Sequence, residues 1–202
     1  MIRVFLAVEV SQVLRAELAT IQQELKHRIE PEMKRGTRIS WAQPASIHLT
    51  LKFLGDMDEQ VIDPLYAALE QAVGGQLAVT VPLERLGVFP HLQSPRVLWV
   101  GPSENWEKGV EARRVVEIHG AIEEACERVN FLRETRPFSP HLTLARIKMG
   151  ERHVGAALAK SGMLDLPVAV GSLVMESVVL MQSELRPTGS IYTKRWDVRL
   201  RG

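Results

Sequence analysis

One tetrapeptide constrains this chain more than any other feature: His48-Leu49-Thr50-Leu51 returns intact as His141-Leu142-Thr143-Leu144, and the elements around the two copies follow one order. A repeat of that kind decides architecture before any local assignment does. The first half opens on an apolar, strand-like run from Arg3 to Val8. Ser11 then starts a helical pattern through Val13, Leu14, Leu18, Ile21 and Leu25, which Pro31 and Gly36 end. The second half opens on Val97-Leu98-Trp99-Val100, and Ser103 precedes a long charged helical pattern through Val110, Val115, Ile118, Ile122 and Val129. Each HLTL is followed by another helical pattern, near 59–73 and 152–160, and then by strand. Those strands are Leu77 to Val81 continuing towards Val88, and Val168 to Leu180, where Gly171 and Glu176 interrupt the run. A last strand is expected from Tyr192 to Leu200. Strand, helix, strand, helix, strand, twice over, predicts an α+β or α/β fold. We expect one bilobal unit, 1–202, whose pseudo-repeat halves of about 1–92 and 93–202 pair around a shared cleft. The Pro90 to Pro95 loop is too short to let the halves tumble independently.

Composition narrows the function classes. With 25 Lys+Arg against 24 Asp+Glu, the net charge of +1 argues against broad electrostatic capture of duplex nucleic acid, while leaving room for a local anion pocket. The single Cys126 excludes an internal disulfide framework and a multi-Cys zinc module, and fits a reducing compartment, so the cytoplasm is the expected location. No run approaches the ~20 consecutive apolar residues of a membrane span, and the opening MIRVFLAVEV reads as a mature strand rather than a secretory leader.

On a strand, side chains alternate, so His48 and Thr50 face one way while Leu49 and Leu51 face the other; the second copy repeats this with His141 and Thr143. The leucines anchor each strand, leaving two imidazoles and two hydroxyls around one hole. Hydrolysis of a cyclic phosphodiester needs those parts: a base for the attacking water, an acid for the departing sugar oxygen, and donors for the phosphoryl oxygens. Imidazole suits both proton transfers because its ordinary pKa is about 6.5. One His-x-Thr on a strand is most often structural; two at matching points of a repeat are not so easily dismissed. A zinc site on the two histidines is the competing mechanism, but no H-E-x-x-H, Cys partner or assigned carboxylate accompanies them.

These motifs resemble the 2H phosphoesterase superfamily, and within it the bacterial and archaeal RNA 2′,3′-cyclic phosphodiesterase family, long called the 2′-5′ RNA ligase family. The likeness extends through Arg3-Val4-Phe5-Leu6-Ala7-Val8, the approach to Trp41, Leu51-Lys52-Phe53-Leu54-Gly55, Gly87-Val88-Phe89-Pro90, Arg96-Val97-Leu98-Trp99-Val100-Gly101, Phe138-Ser139-Pro140-His141 and Glu176-Ser177. It departs at Ala42-Gln43-Pro44-Ala45-Ser46, where the family often has an acid. The stretch from Asn105 to His119 is longer and more charged than usual. The resemblance implies two pseudo-symmetric lobes, each an antiparallel sheet backed by helices, with a central cleft. It implies metal-independent opening of RNA 2′,3′-cyclic phosphate ends, or of nucleotides bearing them, to 2′-phosphomonoesters, without a cofactor. By motif position, His48 is the proton donor, His141 the acceptor, and Thr50 and Thr143 bind phosphate oxygens. Reversible 2′-5′ RNA joining is the alternative activity, and a non-catalytic RNA-end or nucleotide binding module the alternative class. A monomer without an obligate protein partner is the default expectation.

Further candidates are weighed against bland roles. Strict alternation puts Lys52 on the face of His48 and Thr50, as a phosphate contact or an idle strand-end lysine. Arg146 falls on the opposite face unless a bulge intervenes, yet the family's His-x-Thr-x-x-Arg pattern implies an anion contact. Trp41 reads as a rim aromatic, and Tyr192 as a residue closing over the cleft or packing in its strand. Phe53 reads as core and Phe138 as packing, with base stacking the sharper option for Phe138. His27, His91, His119 and His153 read as surface residues, and Cys126 as a small buried side chain.

Overall fold

The computed structural model describes residues 1–186 and 189–202. In chain order it comprises β1 (Ile2–Glu9), α1 (Gln12–Ile29), β2 (Arg38–Trp41), β3 (His48–Met57), α2 (Ile62–Val73), β4 (Val79–Leu83), β5 (Arg85–Phe89) and β6 (Val97–Gly101). There follow α3 (Glu104–Glu107), α4 (Val110–Arg128), β7 (Leu142–Met149), α5 (Glu151–Ser161), β8 (Gly171–Met175), β9 (Ser177–Arg186) and β10 (Gly189–Arg199). The local signals act as expected. Ser11 Oγ accepts from Leu14 N at 3.2 Å and starts α1. The pattern begun at Ser103 is broken by Gly109 into α3 and α4, and Glu176 divides the late strand run into β8 and β9. The short strand β2 was not expected; its four residues are too few to display a period.

The main sheet is antiparallel in every pairing and runs β10-β9-β1-β3-β7-β6-β5, with β2 also on β7. The two motif strands meet at one residue pair, Leu49 opposite Leu142. Beyond it, from Ala145 to Met149, β7 pairs with β2 instead. The sheet parts between β3 and β2, and this parting divides a first lobe (β10, β9, β1, β3) from a second (β2, β7, β6, β5).

The lobes are not the sequence halves. Each half keeps its central pair, β1 with β3 and β6 with β7, but the outer strands are exchanged: β9 and β10 complete the first lobe, while β5 and β2 complete the second. The long helices are exchanged as well. Gln22 of α1 donates from Nε2 to the carbonyl of Leu144 at 2.8 Å and of Ala42 at 2.9 Å, so α1 backs the second motif. His119 of α4 bonds through Nε2 to the carbonyl of Leu51 at 3.0 Å, so α4 backs the first. In each case the backbone group contacted is the carbonyl of the motif's last leucine; that of Leu144 also accepts from Ala42 N at 2.9 Å. Strand β4, which packs on α4, pairs with β8, which packs on α1, in a small separate sheet. The core is continuous through both lobes, with Leu49, Leu51, Leu142 and Leu144 all within it. Cys126 is buried there, and burial pushes its thiol up to about 12, too high for a thiolate at neutral pH.

Candidate active site

Leu49 and Leu142 face each other in an antiparallel pair, so extending that register by one residue sets His48 against Thr143 and Thr50 against His141. All four line one cleft of about 610 Å³ at the parting of the sheet. Each imidazole is oriented in the same way. His48 donates from Nδ1 to the carbonyl of Ser46 at 2.9 Å, and His141 from Nδ1 to the carbonyl of Ser139 at 2.8 Å. A carbonyl only accepts, so both Nδ1 atoms carry hydrogen and both Nε2 atoms are left for the cleft.

Aromatic walls flank both rings. Phe5 stacks on His48 at 4.6 Å between centroids, and Tyr192 meets it edge-on at 5.2 Å. Phe89 meets His141 edge-on at 5.0 Å, with Trp99 tilted at 6.2 Å. Gly87, across the ladder from Trp99, leaves the space this indole fills; a Cβ there would come within 2.1 Å of the ring. Desolvation by these walls pushes the pKa of both histidines below 6.5. The bonds to Ser46 and Ser139 oppose that shift, while the Arg146 guanidinium reinforces it. Each ring is therefore mostly neutral near pH 7, and a bound anion is the natural means of protonating one.

Two bulges decide what else reaches the cleft. In β3, Lys52 pairs with Leu6 and Thr50 with Ala7, leaving Leu51 extra; in β7, Ala145 pairs with Leu98 and Thr143 with Trp99, leaving Leu144 extra. Alternation resets after each. Arg146 is thereby turned into the cleft, where the family resemblance requires it and strict alternation does not. Phe53, at the equivalent position after the first motif, turns the same way and is exposed in the cleft rather than in the core.

Lys52 is turned out of the site by the same bulge, which corrects its expected position on the His48 face. Its Nζ is buried, 2.6 Å from Glu123 Oε2 and 2.8 Å from the Leu132 carbonyl, and Glu123 Oε2 also accepts from Glu134 N at 3.1 Å. The pair ties β3 and α4 to the segment that leads into His141. Lys52→Met leaves Glu123 buried and unpaired and is expected to cost about 3–5 kcal/mol, read as a lowered urea midpoint. Adding Glu123→Met should return most of that loss; a single variant as stable as the parent would show the pair to be energetically idle.

The remaining candidates fall as follows. Trp41 lines the cleft on the second lobe, with Lys26 Nζ 4.9 Å from its ring centroid. Tyr192 lines it on the first. His119 is not a surface residue: besides its bond to Leu51 it stacks on Phe138 at 4.1 Å, which accounts for Phe138 as packing. His27, His91 and His153 are exposed. Phe5, Phe89, Trp99 and Arg3, which sequence reasoning gave no role, all belong to the site or its walls. Among the described residues, the cleft lining includes Arg3 and Arg146 and no aspartate or glutamate, so a zinc ion on the two histidines would lack a carboxylate ligand there.

A positive, acid-free cleft with paired His and Thr on a parted antiparallel sheet defines a phosphoesterase site. The family described as LigT like Phosphoesterase matches residues 8–99 and 109–192, and the chain belongs to it. The RNA 2′,3′-cyclic phosphodiesterase of Methanothermobacter thermautotrophicus is 31% identical, over 98% of this chain and 99% of that protein. The enzyme of the same name from Aeropyrum pernix is 34% identical, over 81% of this chain and 88% of its own. Among solved structures, TT0787 of Thermus thermophilus superposes with a TM-score of 0.70 at 29% identity, covering 99% of this chain and 98% of that one. LigT of E. coli in its apo form shares the fold, with a TM-score of 0.73 at 20% identity, covering 100% of this chain and 98% of that one.

Proposed function

We propose that the protein opens RNA 2′,3′-cyclic phosphate ends to 2′-phosphomonoesters by acid/base catalysis from its two motif histidines. The observation that carries this is the matched orientation of the two rings: each Nδ1–H is held by the carbonyl two residues before it, and each Nε2 is free for the cleft. The relatives named RNA 2′,3′-cyclic phosphodiesterase support the substrate class.

In this mechanism neutral His141 takes a proton from water at Nε2 as the oxygen attacks phosphorus. The P–O3′ bond breaks, and protonated His48 returns a proton to O3′ from its Nε2, leaving phosphate on O2′. Thr50 and Thr143 hydroxyls and the Arg146 guanidinium hold the phosphoryl oxygens and meet the charge that develops on them. The substrate's own negative charge raises the pKa of the adjacent imidazoles, opposing the desolvation that keeps them neutral in the empty cleft. These residues supply every proton transfer and every anion contact, so no metal or cofactor enters the reaction. Trp41 and Tyr192 frame the bound nucleotide from the two lobes.

The test is a short RNA ending in a 2′,3′-cyclic phosphate, incubated with the protein in excess EDTA, with product isomers resolved by chromatography. A 2′-phosphate product is expected. Turnover that appears only on adding a divalent metal overturns the two-histidine mechanism. Absence of turnover under either condition overturns the substrate assignment and favours a binding module.

A further inference from the structure

The carbonyls that orient the two histidines are held in unlike ways. Ser46, which accepts from His48 Nδ1, ends a 3₁₀ turn (Pro44–Ser46): its own N–H donates to the Gln43 carbonyl at 2.8 Å, and Ala42 N just before the turn donates to the Leu144 carbonyl at 2.9 Å. Backbone alone frames that end of the cleft. Ser139, which accepts from His141 Nδ1, has no such frame. From Leu132 to Pro140 the chain belongs to no helix or strand, and among the described residues it makes no backbone–backbone hydrogen bond.

Side chains hold this segment instead. Near its start, Lys52 and Glu123 grip the Leu132 carbonyl and Glu134 N, and Arg133 adds exposed ion pairs to Glu124 and Glu127, which contribute little. At its end Pro140 is buried, its carbonyl 2.9 Å from where a Cβ on Gly101 would stand. Between them the Phe138 ring lies flat on His119 of α4, at 4.1 Å and 12°. His119 is itself fixed, because its Nε2 donates to the Leu51 carbonyl at 3.0 Å and stands 3.7 Å from Glu123 Oε1. Burial pushes its pKa below 6.5, with Lys52 reinforcing that shift and the Leu51 bond, Glu123 and Glu134 opposing it, so Phe138 meets a neutral ring face. Pro140 restricts Ser139 to extended backbone. With Pro140 seated on Gly101, the direction of the Ser139 carbonyl is set by where Phe138 is pinned.

We infer that His119 is a positioning residue for His141: by pinning Phe138 to α4 it aims the Ser139 carbonyl, which keeps the hydrogen of His141 on Nδ1 and turns its Nε2 to the cleft. This rests on the function proposed above and adds to it a buried histidine that touches no substrate. The effect belongs to His141 and not to His48, whose carbonyl partner is framed by its own turn.

The experiment compares the parent with Phe138→Ala, Phe138→Tyr and His119→Ala, measuring kcat and KM on an RNA that ends in a 2′,3′-cyclic phosphate, urea midpoints, and the titration of each histidine by NMR. Phe138→Ala and His119→Ala are expected to lower kcat by about 10–10²-fold while changing KM less than about twofold. Phe138→Tyr keeps the stack and should stay within about threefold of the parent. The bond to Ser139 raises the His141 pKa, so loosening it must lower that pKa further; His48 keeps its bond to Ser46 and the same facing Arg146, and its titration should stay in place. The acid limb of kcat/KM then moves alone, to lower pH. In a His141→Ala background, Phe138→Ala should cost no more than about another twofold. Parental kcat in Phe138→Ala, a His48 titration that moves as far as that of His141, or an undiminished loss in the His141→Ala background overturns the positioning role. Should His119→Ala fail to fold, Phe138→Ala, at a half-buried loop position, carries the test. Failure of the parent to turn over is a different result: it removes the proposed function, while the His141 titration still decides the positioning.

Discussion

Replacing either His48 or His141 by alanine is expected to lower kcat on a cyclic phosphate end by about 10²–10⁴-fold, with much smaller changes in KM. In the proposed mechanism the two Nε2 atoms share one displacement, so the double variant should lose little more than the worse single one. The pH dependence separates their roles. Parent kcat/KM reports the free protein, in which both rings titrate below 6.5, so its bell is expected to be centred on the acid side of that value. The acid limb belongs to the base, which must lose its proton, and the alkaline limb to the acid, which must keep it. Residual activity in His48→Ala should rise with pH and level off, and in His141→Ala should be level and then fall. Opposite limbs would exchange the two roles, and a variant retaining more than a tenth of parental kcat would remove its histidine from the chemistry.

Arg146→Met is expected to lower kcat/KM by about 10²–10³-fold, because in the proposed mechanism it deletes the charged donor that meets developing phosphoryl charge. It carries a second signature. Arg146 depresses the pKa of both histidines, so removing its charge must move both limbs of the kcat/KM profile upward in pH. A residue acting only through packing would lower the rate without moving the limbs. Arg146→Lys keeps the charge but not the planar fork, so it should hold the limbs near their parental positions while recovering part of the rate. Histidine titration followed by NMR checks the shift independently of turnover.

The motif strands and their leucines were legible because a half-buried strand advertises itself by period two. The positions just past each motif were not, because a bulge has no signature in composition. Counting alternately from His48 puts Lys52 in the site and Phe53 in the core, and the extra residue at Leu51 reverses both. The matching bulge at Leu144 delivers Arg146, so the family resemblance was the better guide there. His119 sits beside the apolar stripe of Ile118 and Ile122 and looks solvated in its own helix; its partner, the Leu51 carbonyl, comes from a distant strand. For the same reason the exchange of α1 and α4 between lobes left no local trace. The repeat shows which elements correspond, while pairing across the chain decides which ones touch.

That exchange has a consequence for how the molecule comes into being. Phe5, whose ring lies on His48, sits opposite Met181 in the β1–β9 ladder, and the helix behind the first motif belongs to the second half. A growing chain that has already emerged past His48 and Thr50 can pair β3 with β1, but it lacks both β9 and α4, which complete that lobe. Strand β9, on the far side of β1, and helix α4 both come from the second half, so the surroundings of His48 are completed only after that half has been made. Contacts this distant in sequence slow the search for the native state, and they make the site a product of pairing across the whole chain rather than of either half.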